Sequence, residues 1–440
     1  MAIRTGAETR IRDGPYGEDL PVLSGGMKRA IDVGVIGTGT AGSAAALFLA
    51  RAGHRVTIFE KVNDPGPVGA GIVLQPTGQL VMNELGLYGP IAERGARLDR
   101  LRCETHTRRT LVDLEYAMVD SALFGVGLHR GVLFVTLLDA VKKEPGVRLL
   151  LGTEIVGLKT EGDKRLLRDA RGEMHGPFDL VVVADGAGSQ HEDDRPLRRR
   201  VTPYAWGAMW AIVPDPDRVY RGMLYQIVRS NAVMLGFLPT GAGPHDSTPT
   251  VSLYWSLRAD RIEAFQKGDF EGWKTMVRGH DPRSHFVLDA LATPEHLLFA
   301  RYRDVVMPRF TGHATVYVGD AAHAMSPQLG QGANLALYDA KVLGESFAAE
   351  PDVPRALMRY ESERRSHLGF YQFATRWLTP FFQGDASIFG TLRDLAMPIG
   401  LAIPPVREQM VRSMLGIKRG IVRRSLPLEP FKKALAVEAR

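Results

Sequence analysis

The stretch Ile31-Asp32-Val33-Gly34-Val35-Ile36-Gly37-Thr38-Gly39-Thr40-Ala41-Gly42 decides how this chain is read. Its opening run, apolar and β-branched, is a buried strand. Residues 40–52, rich in Ala and Leu, form a helix with Gly53 as its C-cap. Residues 55–59 form a second strand that ends at Glu60. Strand, glycine turn, helix, strand and terminal carboxylate together make a βαβ unit that holds a dinucleotide. Gly37 allows the tight turn, Gly39 lets a pyrophosphate reach the backbone, and Gly42 lets the helix pack closely on the sheet. Thr40 and Ala41 open that helix, whose N-terminus stabilises phosphate charge. Glu60, followed by Lys61, accepts hydrogen bonds from ribose hydroxyls. Its charge disfavours a 2′-phosphate, so the site suits FAD or NAD better than NADP.

Outward from this unit the chain keeps an α/β pattern. Residues 98–114 read as a hairpin around Arg108-Arg109, and residues 132–143 as a helix. Residues 147–184 return to strands, with turns at Glu161-Gly162-Asp163 and Ala170-Arg171-Gly172. The last of these, 178–184, reads as one strand buried on both faces. Tyr204, Trp206, Ala208, Trp210 and Ile212 then fall at period two, as do Leu253 and Trp255. That is an antiparallel sheet with one aromatic-rich face. The face is either ordinary sheet core or the wall of an apolar cavity, with Trp206, Trp210 and Tyr254 as pocket candidates. Residues 260–277, 329–349 and 354–382 are helical and 315–318 a short strand. Beyond Pro380 the tail is broken by Pro398, Pro404, Pro405, Pro427 and Pro430.

Composition sets the outer bounds. The chain has 440 residues, 45% hydrophobic and 24% charged, which is ordinary for a soluble protein of two or three domains. Its single cysteine, Cys103, excludes an intrachain disulfide and a cysteine-based metal cage, and fits a reducing cytoplasm. No metal site is expected. No run approaches the roughly 20 apolar residues that span a bilayer. Residues 1–26 lack the apolar core of a signal peptide and read as a flexible arm, with Met27 an alternative start. The net charge of +6 is partly local, at Arg198-Arg199-Arg200 and from Arg407 onward. With no nucleic-acid motif beside it, this charge reads as solvated surface. Met410, Met414, Leu415, Ile417, Ile421 and Val422 form a tail stripe that either packs on the domain or lies on an anionic bilayer.

A second glycine-rich segment carries a family resemblance. Gly319-Asp320-Ala321-Ala322-His323, then Pro327, then Gly330-Gln331-Gly332-Ala333-Asn334 follows a strand and precedes a helix. This pattern resembles the flavoprotein aromatic hydroxylases of the para-hydroxybenzoate hydroxylase type at every position. Asp185-Gly186-Ala187-Gly188-Ser189 resembles the Asp-Gly motif of the same family, although Glu192 stands where that family usually carries an Arg, and Arg195 is out of register. His129-Arg130, Gly69-Ala70-Gly71-Ile72 with Leu74 and Pro76, and Leu378-Thr379-Pro380-Phe381-Phe382-Gln383 are smaller matches. Together they span the chain from Met27 to about Gln383.

The resemblance implies a Rossmann-like FAD-binding domain of separated segments (27–97, 121–202 and 299–350), an inserted antiparallel substrate sheet (98–120 and 203–298) and a helical C-terminal region (351–440). It implies that Asp320 contacts the ribityl chain, that Arg130, Asp185, Gly186 and Gly71 help hold FAD, and that the turn 330–334 lies against the flavin. Pro327 would sit near the ring under attack, with His323 a weaker catalytic candidate. NADH or NADPH would reduce the flavin transiently. Reaction with O2 would give a C4a-hydroperoxide that hydroxylates an aromatic or polyketide-like molecule. Tyr204, Tyr254, His106 and His323 are base candidates by residue type alone. The alternatives are a reductase or dehydrogenase of the same fold, and a membrane-peripheral hydroxylase of a quinone pathway. The Trp-x-Trp-x-Ile-Pro signature of tryptophan halogenases is absent, since Trp206 and Trp210 are wrongly spaced. Monomer and homodimer both remain open.

Overall fold

A computed structural model describes residues 29–66, 69–191, 197, 199–422 and 424–436. The expected arm 1–26, Met27, Glu192, Arg195 and Arg198 lie outside the described residues. A five-stranded parallel sheet runs in the order Thr315–Tyr317, Leu180–Val183, Asp32–Ile36, Arg55–Phe59, Val147–Leu150. Helices Thr40–Arg51, Gly332–Ala349 and Arg130–Lys143 pack together on one face. Gly344 permits the closest of these contacts, because a Cβ there would stand 2.7 Å from Phe48 Cβ. A three-stranded antiparallel sheet, Ile155–Glu161, Lys164–Asp169 and Met174–Phe178, covers the other face by way of Leu167 and Phe178 over Gly34.

The second sheet has nine strands and is antiparallel except where Gly222–Arg229 runs parallel to Ala96–Thr105. Its strands include Gly71–Leu74, Gly125–His129 and Leu298–Val306. By sequence these three fell in the dinucleotide-binding part, yet they hydrogen-bond into the large sheet, so the two halves share strands. No helix among the described residues is long and apolar enough to cross a membrane.

Several boundaries move for local reasons. Ala52, rather than Gly53, caps the first helix, and Gly53 follows it at φ +91°. Residues 178–184 are not one strand: Asp179 splits them, accepting from the Asp32 N–H at 2.9 Å and from Lys164 at 2.8 Å. The expected helix 260–277 is two, Ile262–Gln266 and Phe270–His280, because Asp269 caps the second by accepting from Gly272 N–H at 2.7 Å. The helix expected from 329 begins at Gly332, since Gly330 at φ +61° ends the single turn Pro327–Leu329. Pro398 does not break its helix, Ile388–Ala402, whose inner face is held by buried Arg393 and Leu401, whereas Pro404 opens the next one. In the tail stripe, Met414, Leu415 and Ile417 are core, and only Ile421 and Val422 are exposed.

The period-two reading needs a larger correction. Trp210 pairs with Tyr254, while Trp255 pairs with Met209. Tyr254 therefore shares a face with Trp210, and Leu253 and Trp255 point the other way. With Met209, Ala211 and Val213 they pack beneath the helices that carry Trp273, Val277 and Leu288. Trp255→Ala should cost about 3–5 kcal/mol, read as a lower urea midpoint, whereas Trp210→Ala, which loses one ring contact and one hydrogen bond on the half-buried opposite face, should lower that midpoint less, by about 1–3 kcal/mol.

Candidate functional site

The first glycine turn is built from the strand end upward. Gly37 has φ +98°, and its N–H donates to Phe59 O at 2.8 Å. A Cβ on Gly42 would stand 2.1 Å from Gly37 O, so the helix can approach the turn only with glycine there. A Cβ on Gly39 would meet nothing nearer than Ala184 O at 3.9 Å, so the turn is open on that side. The helix beginning at Thr40 and Ala41 has no capping side chain and no acidic residue in its first turn. Its N–H groups are thus available to an anion. Glu60 is fixed beside them: it accepts from Thr38 N–H at 3.0 Å, Thr38 Oγ1 at 2.7 Å and Val62 N–H at 3.0 Å. Lys61 is exposed.

The second glycine turn meets the first. A Cβ on Gly319 would lie 2.8 Å from Ala41 Cβ. Asp320 follows, exposed, and one of its carboxylate oxygens is 4.0 Å from where a Cβ on Gly332 would be. Helix Gly332–Ala349 also starts with no capping side chain and no acid in its first turn. Two uncapped helix starts and an open glycine turn thus converge around Asp320, and this donor-rich lining fits the pyrophosphate and ribityl parts of FAD. A cavity of about 290 Å³ opens beside it, lined by Ala187, Arg301, Tyr302, Arg303, Asp320, Ala324 and Met325.

Several expected residues serve the frame. Asn334 accepts from Gln75 N–H at 2.8 Å and donates to Val73 O at 3.0 Å and Gly330 O at 3.1 Å, so its amide staples the turn to strand Gly71–Leu74. Gln331 donates to Met414 O at 2.7 Å, and half-buried Ala333 packs on the core. Gly71 N–H donates to Ser252 Oγ at 3.2 Å, and a Cβ there would stand 2.4 Å from Thr240. Arg130 is exposed at the start of its helix, which His129 caps. Asp185 lies 3.6 Å from His191, and Gly186 has φ +85°. Pro327 opens a turn tied down on both sides: Ser326 bonds Thr379 at 2.8 Å, and Gln328 donates to Gln383 at 3.0 Å. Gln383 in turn donates to Gly207 O at 3.1 Å.

His323 is buried, its Nε2 2.6 Å from an Asp339 oxygen. The same carboxylate accepts from Gly319 N–H at 2.8 Å and Arg364 Nε at 2.7 Å. Arg364 also contacts His367, whose Nε2 donates to Gly416 O at 2.7 Å. Burial alone would raise the Asp339 pKa, but His323 and Arg364 overcome it and hold the carboxyl at about 2. Burial, then Arg364, push His367 far below its ordinary value. Sequence reasoning missed Asp339 and Arg364, although an acid among Ala336, Ala340 and Leu343 on an apolar helix face is itself a signal. Arg199, expected as solvated surface in the Arg198-Arg199-Arg200 cluster, is instead half-buried and donates to Ala187 O at 3.0 Å, Ser189 O at 2.8 Å and Ala321 O at 2.9 Å, joining the two loops.

On the sheet, Trp210 and Tyr254 come together with ring centroids 5.1 Å apart, and Trp210 Nε1 donates to Tyr302 OH at 3.3 Å. Gln226 donates to the Tyr254 hydroxyl. Trp206 is not part of this group and lies beneath Arg258, 5.9 Å away. Burial raises Tyr254 well above its ordinary pKa and pushes Tyr204 up to about 12. His106 is exposed on a hairpin tip, its ring 6.5 Å from that of His280. Of the four base candidates, then, the two tyrosines stay protonated near neutrality and His323 is engaged by Asp339.

Residues 30–369 match the family described as FAD binding domain. Kynurenine 3-monooxygenase of Salinispora arenicola is 30% identical over 383 residues, covering 77% of each chain. The 3-hydroxybenzoate 6-hydroxylase of Klebsiella oxytoca is 25% identical over 370 residues, covering 80% of this chain and 88% of that one. Among solved structures, Klebsiella pneumoniae HpxO complexed with FAD and uric acid has a TM-score of 0.73 at 20% identity, over 88% of this chain and 97% of that chain. The 2-methyl-3-hydroxypyridine-5-carboxylic acid oxygenase gives 0.70 at 22% identity, over 87% and 96%. These two likenesses are of fold.

The Asp339 cluster makes a signed prediction. A depressed carboxylate contributes stability above its unfolded pKa of 3.8 and loses it as pH falls through about 2. Asp339→Asn, which leaves Arg364 buried and unpaired, should cost about 3–5 kcal/mol at pH 7. In urea melts from pH 7 downward, the gap to wild type should hold until about pH 4 and then narrow.

Proposed function

We propose, starting from the fact that this chain belongs to the FAD-binding family of flavoprotein monooxygenases, that it hydroxylates a small aromatic molecule with NADH or NADPH as electron donor. It is an FAD-dependent oxidoreductase, and the substrate class and the roles of individual residues are what is proposed. The observation that carries the reading is the aromatic face of Trp210, Tyr254 and Tyr302 beside the cavity that Asp320 lines.

Bound FAD supplies the electron transfer from nicotinamide to dioxygen and the activation of one oxygen atom. The chain supplies position and environment. Gly39, Thr40 and Ala41 would hold the pyrophosphate, Glu60 the adenosine ribose and Asp320 the ribityl hydroxyls. The start of helix Gly332–Ala349 would stabilise negative charge on the flavin ring. Pro327, held through Ser326 and Gln328, would form the fixed side of the substrate pocket. Trp210 and Tyr254 would form the opposite apolar wall and limit water. Arg301 and Arg303 give the open cavity two cations suited to the phosphates of a nicotinamide dinucleotide. No substrate base is assigned.

The aromatic preference of the two relatives supports the substrate class, since their names specify kynurenine and 3-hydroxybenzoate. The test is NADH and NADPH oxidation with oxygen uptake across a panel of phenols, hydroxybenzoates and bicyclic aromatics, with products weighed by mass spectrometry. A product heavier by one oxygen, formed in step with nicotinamide oxidation, is expected. Nicotinamide oxidation that yields a reduced product and no oxygenated one would assign the chain to the reductases instead.

Tyr254 gives a separate expectation. Its buried phenol stays neutral and accepts from Gln226, so Tyr254→Phe removes that hydrogen bond from the wall of the pocket and no titrating group. KM for the aromatic substrate should rise about 5–20-fold, the equivalent of about 1–2 kcal/mol. The pH profile of kcat should stay where it is in the wild type, and a shifted profile would make Tyr254 a proton carrier.

A further inference from the structure

Helix Ile388–Ala402 turns Gly390, Arg393 and Leu401 inward and an apolar face outward. Its inner face is fully used. A Cβ on Gly390 would stand 2.8 Å from Asn231 N, and Arg393, fully buried, donates to Phe381 O at 3.0 Å. Asn231 fixes the approach from the sheet by donating to Ala386 O at 2.8 Å. The helix is therefore seated by its inner face, and its outer apolar residues are left uncovered by the described residues.

Those outer residues are Ile388, Leu392, Leu395 and Ile399, at spacings of four, three and four, with relative exposures of 63, 46, 55 and 68%. Ile403 and Val406 extend the strip into the next helix at 50 and 42%. A chain of rings continues it sideways: Phe389 lies 5.4 Å from Phe381, which lies 5.1 Å from Trp377. Trp377 is 59% exposed, and Phe373, one turn away, 53%. At roughly 200 Å² for a fully exposed large side chain, these eight leave on the order of 900 Å² of apolar surface open. The largest patch on a typical monomer is about 300–600 Å².

We infer that this outer face is where a second copy of the chain docks. The area argues for it, since a stable pair buries about 800 Å² on each partner. So does the charge pattern. On helix Ile388–Ala402 the strip carries no Lys or Arg, since Arg393 points inward and is paired with Asp394 at 2.7 Å, and Arg376, beside Trp377, is paired with Asp304 at 2.8 Å. A helix that binds anionic lipid draws on Lys and Arg around its polar face, and here that face is buried in the protein. An uncharged centre with an exposed tryptophan is instead the make-up of an interface core. One apolar strip can meet its own copy across a two-fold axis, each residue finding the equivalent residue of its partner.

Sedimentation equilibrium of the FAD-loaded enzyme at micromolar concentration is expected to give twice the 48.3 kDa chain mass. The double variant Leu395→Lys/Ile399→Lys is expected to sediment as a single chain with its flavin content unchanged. A single-chain mass for the wild type overturns the inference, and so does a double variant that stays paired. A single-chain wild type that pellets with phosphatidylserine vesicles, and loses this in the double variant, assigns the face to a lipid surface instead. Ala396→Cys reads the same strip without added charge, since Cys103 is buried. Its thiol should react with a maleimide about tenfold more slowly in concentrated than in dilute protein, and equal rates overturn the inference.

Discussion

The carboxylate of Asp339 is the point at which the cofactor turn, the long C-terminal helix and the tail are tied together. It accepts from Gly319 N–H and His323 in the turn and from Arg364 in helix Val353–Phe382. Arg364 then leads through His367 to the Gly416 carbonyl in the tail. All four side chains are buried. A buried ion pair adds little net stability compared with apolar packing, because desolvation cancels much of the attraction. What it adds is position. Gly319 adopts φ +58°, and a carboxylate aimed at its N–H selects that conformation over others open to glycine. Asp320 is thereby presented to solvent at the mouth of the cavity, although the next three residues are buried.

That anchoring has a counterpart in the Pro327 turn. Ser326 is held by Thr379, and Gln328 reaches Gly207 of the large sheet by way of Gln383. The C-terminal helix thus sets the distance between the Gly319–Asp320 turn and the large sheet. It does so with neutral hydrogen bonds at the Pro327 turn and ionic ones behind the Gly319–Asp320 turn.

Much of this was legible in the sequence, for reasons that differ by element. The first βαβ unit could be read because every requirement is local: Gly37, Gly42 and Glu60 act within thirty residues of one another. The turn after Asp320 could be read because its spacing is peculiar to one family. The two faces of the large sheet could not be assigned from alternation alone. Trp255 and Tyr254 are neighbours, both are aromatic, and only the pairing of Tyr254 with Trp210 shows which of them shares a face with Trp210. Asp339 and Arg364 were invisible, and Arg199 read as surface charge, for another reason. Each works through a partner far away in sequence, and a lone charge on a helix gives no hint of its mate. Asn334 was noticed as part of the turn, but the partners that occupy its amide, Gln75, Val73 and Gly330, were not.

The shared strands explain why a division into cofactor and substrate parts blurs on inspection. Strand Gly71–Leu74 belongs by sequence to the dinucleotide unit but pairs with Gly125–His129 in the large sheet. Its close approach to the sheet needs small residues on both sides. A Cβ on Gly71 would stand 2.4 Å from Thr240, and one on Gly127 would stand 1.9 Å from Pro239 O. Gly236 leaves the room that the Tyr254 ring fills, where a Cβ would come within 2.0 Å. These contacts leave strand Gly71–Leu74 no slack to slide within the large sheet. The strand that sequence assigns to the dinucleotide unit is thereby fixed to the same sheet that carries Trp210 and Tyr254.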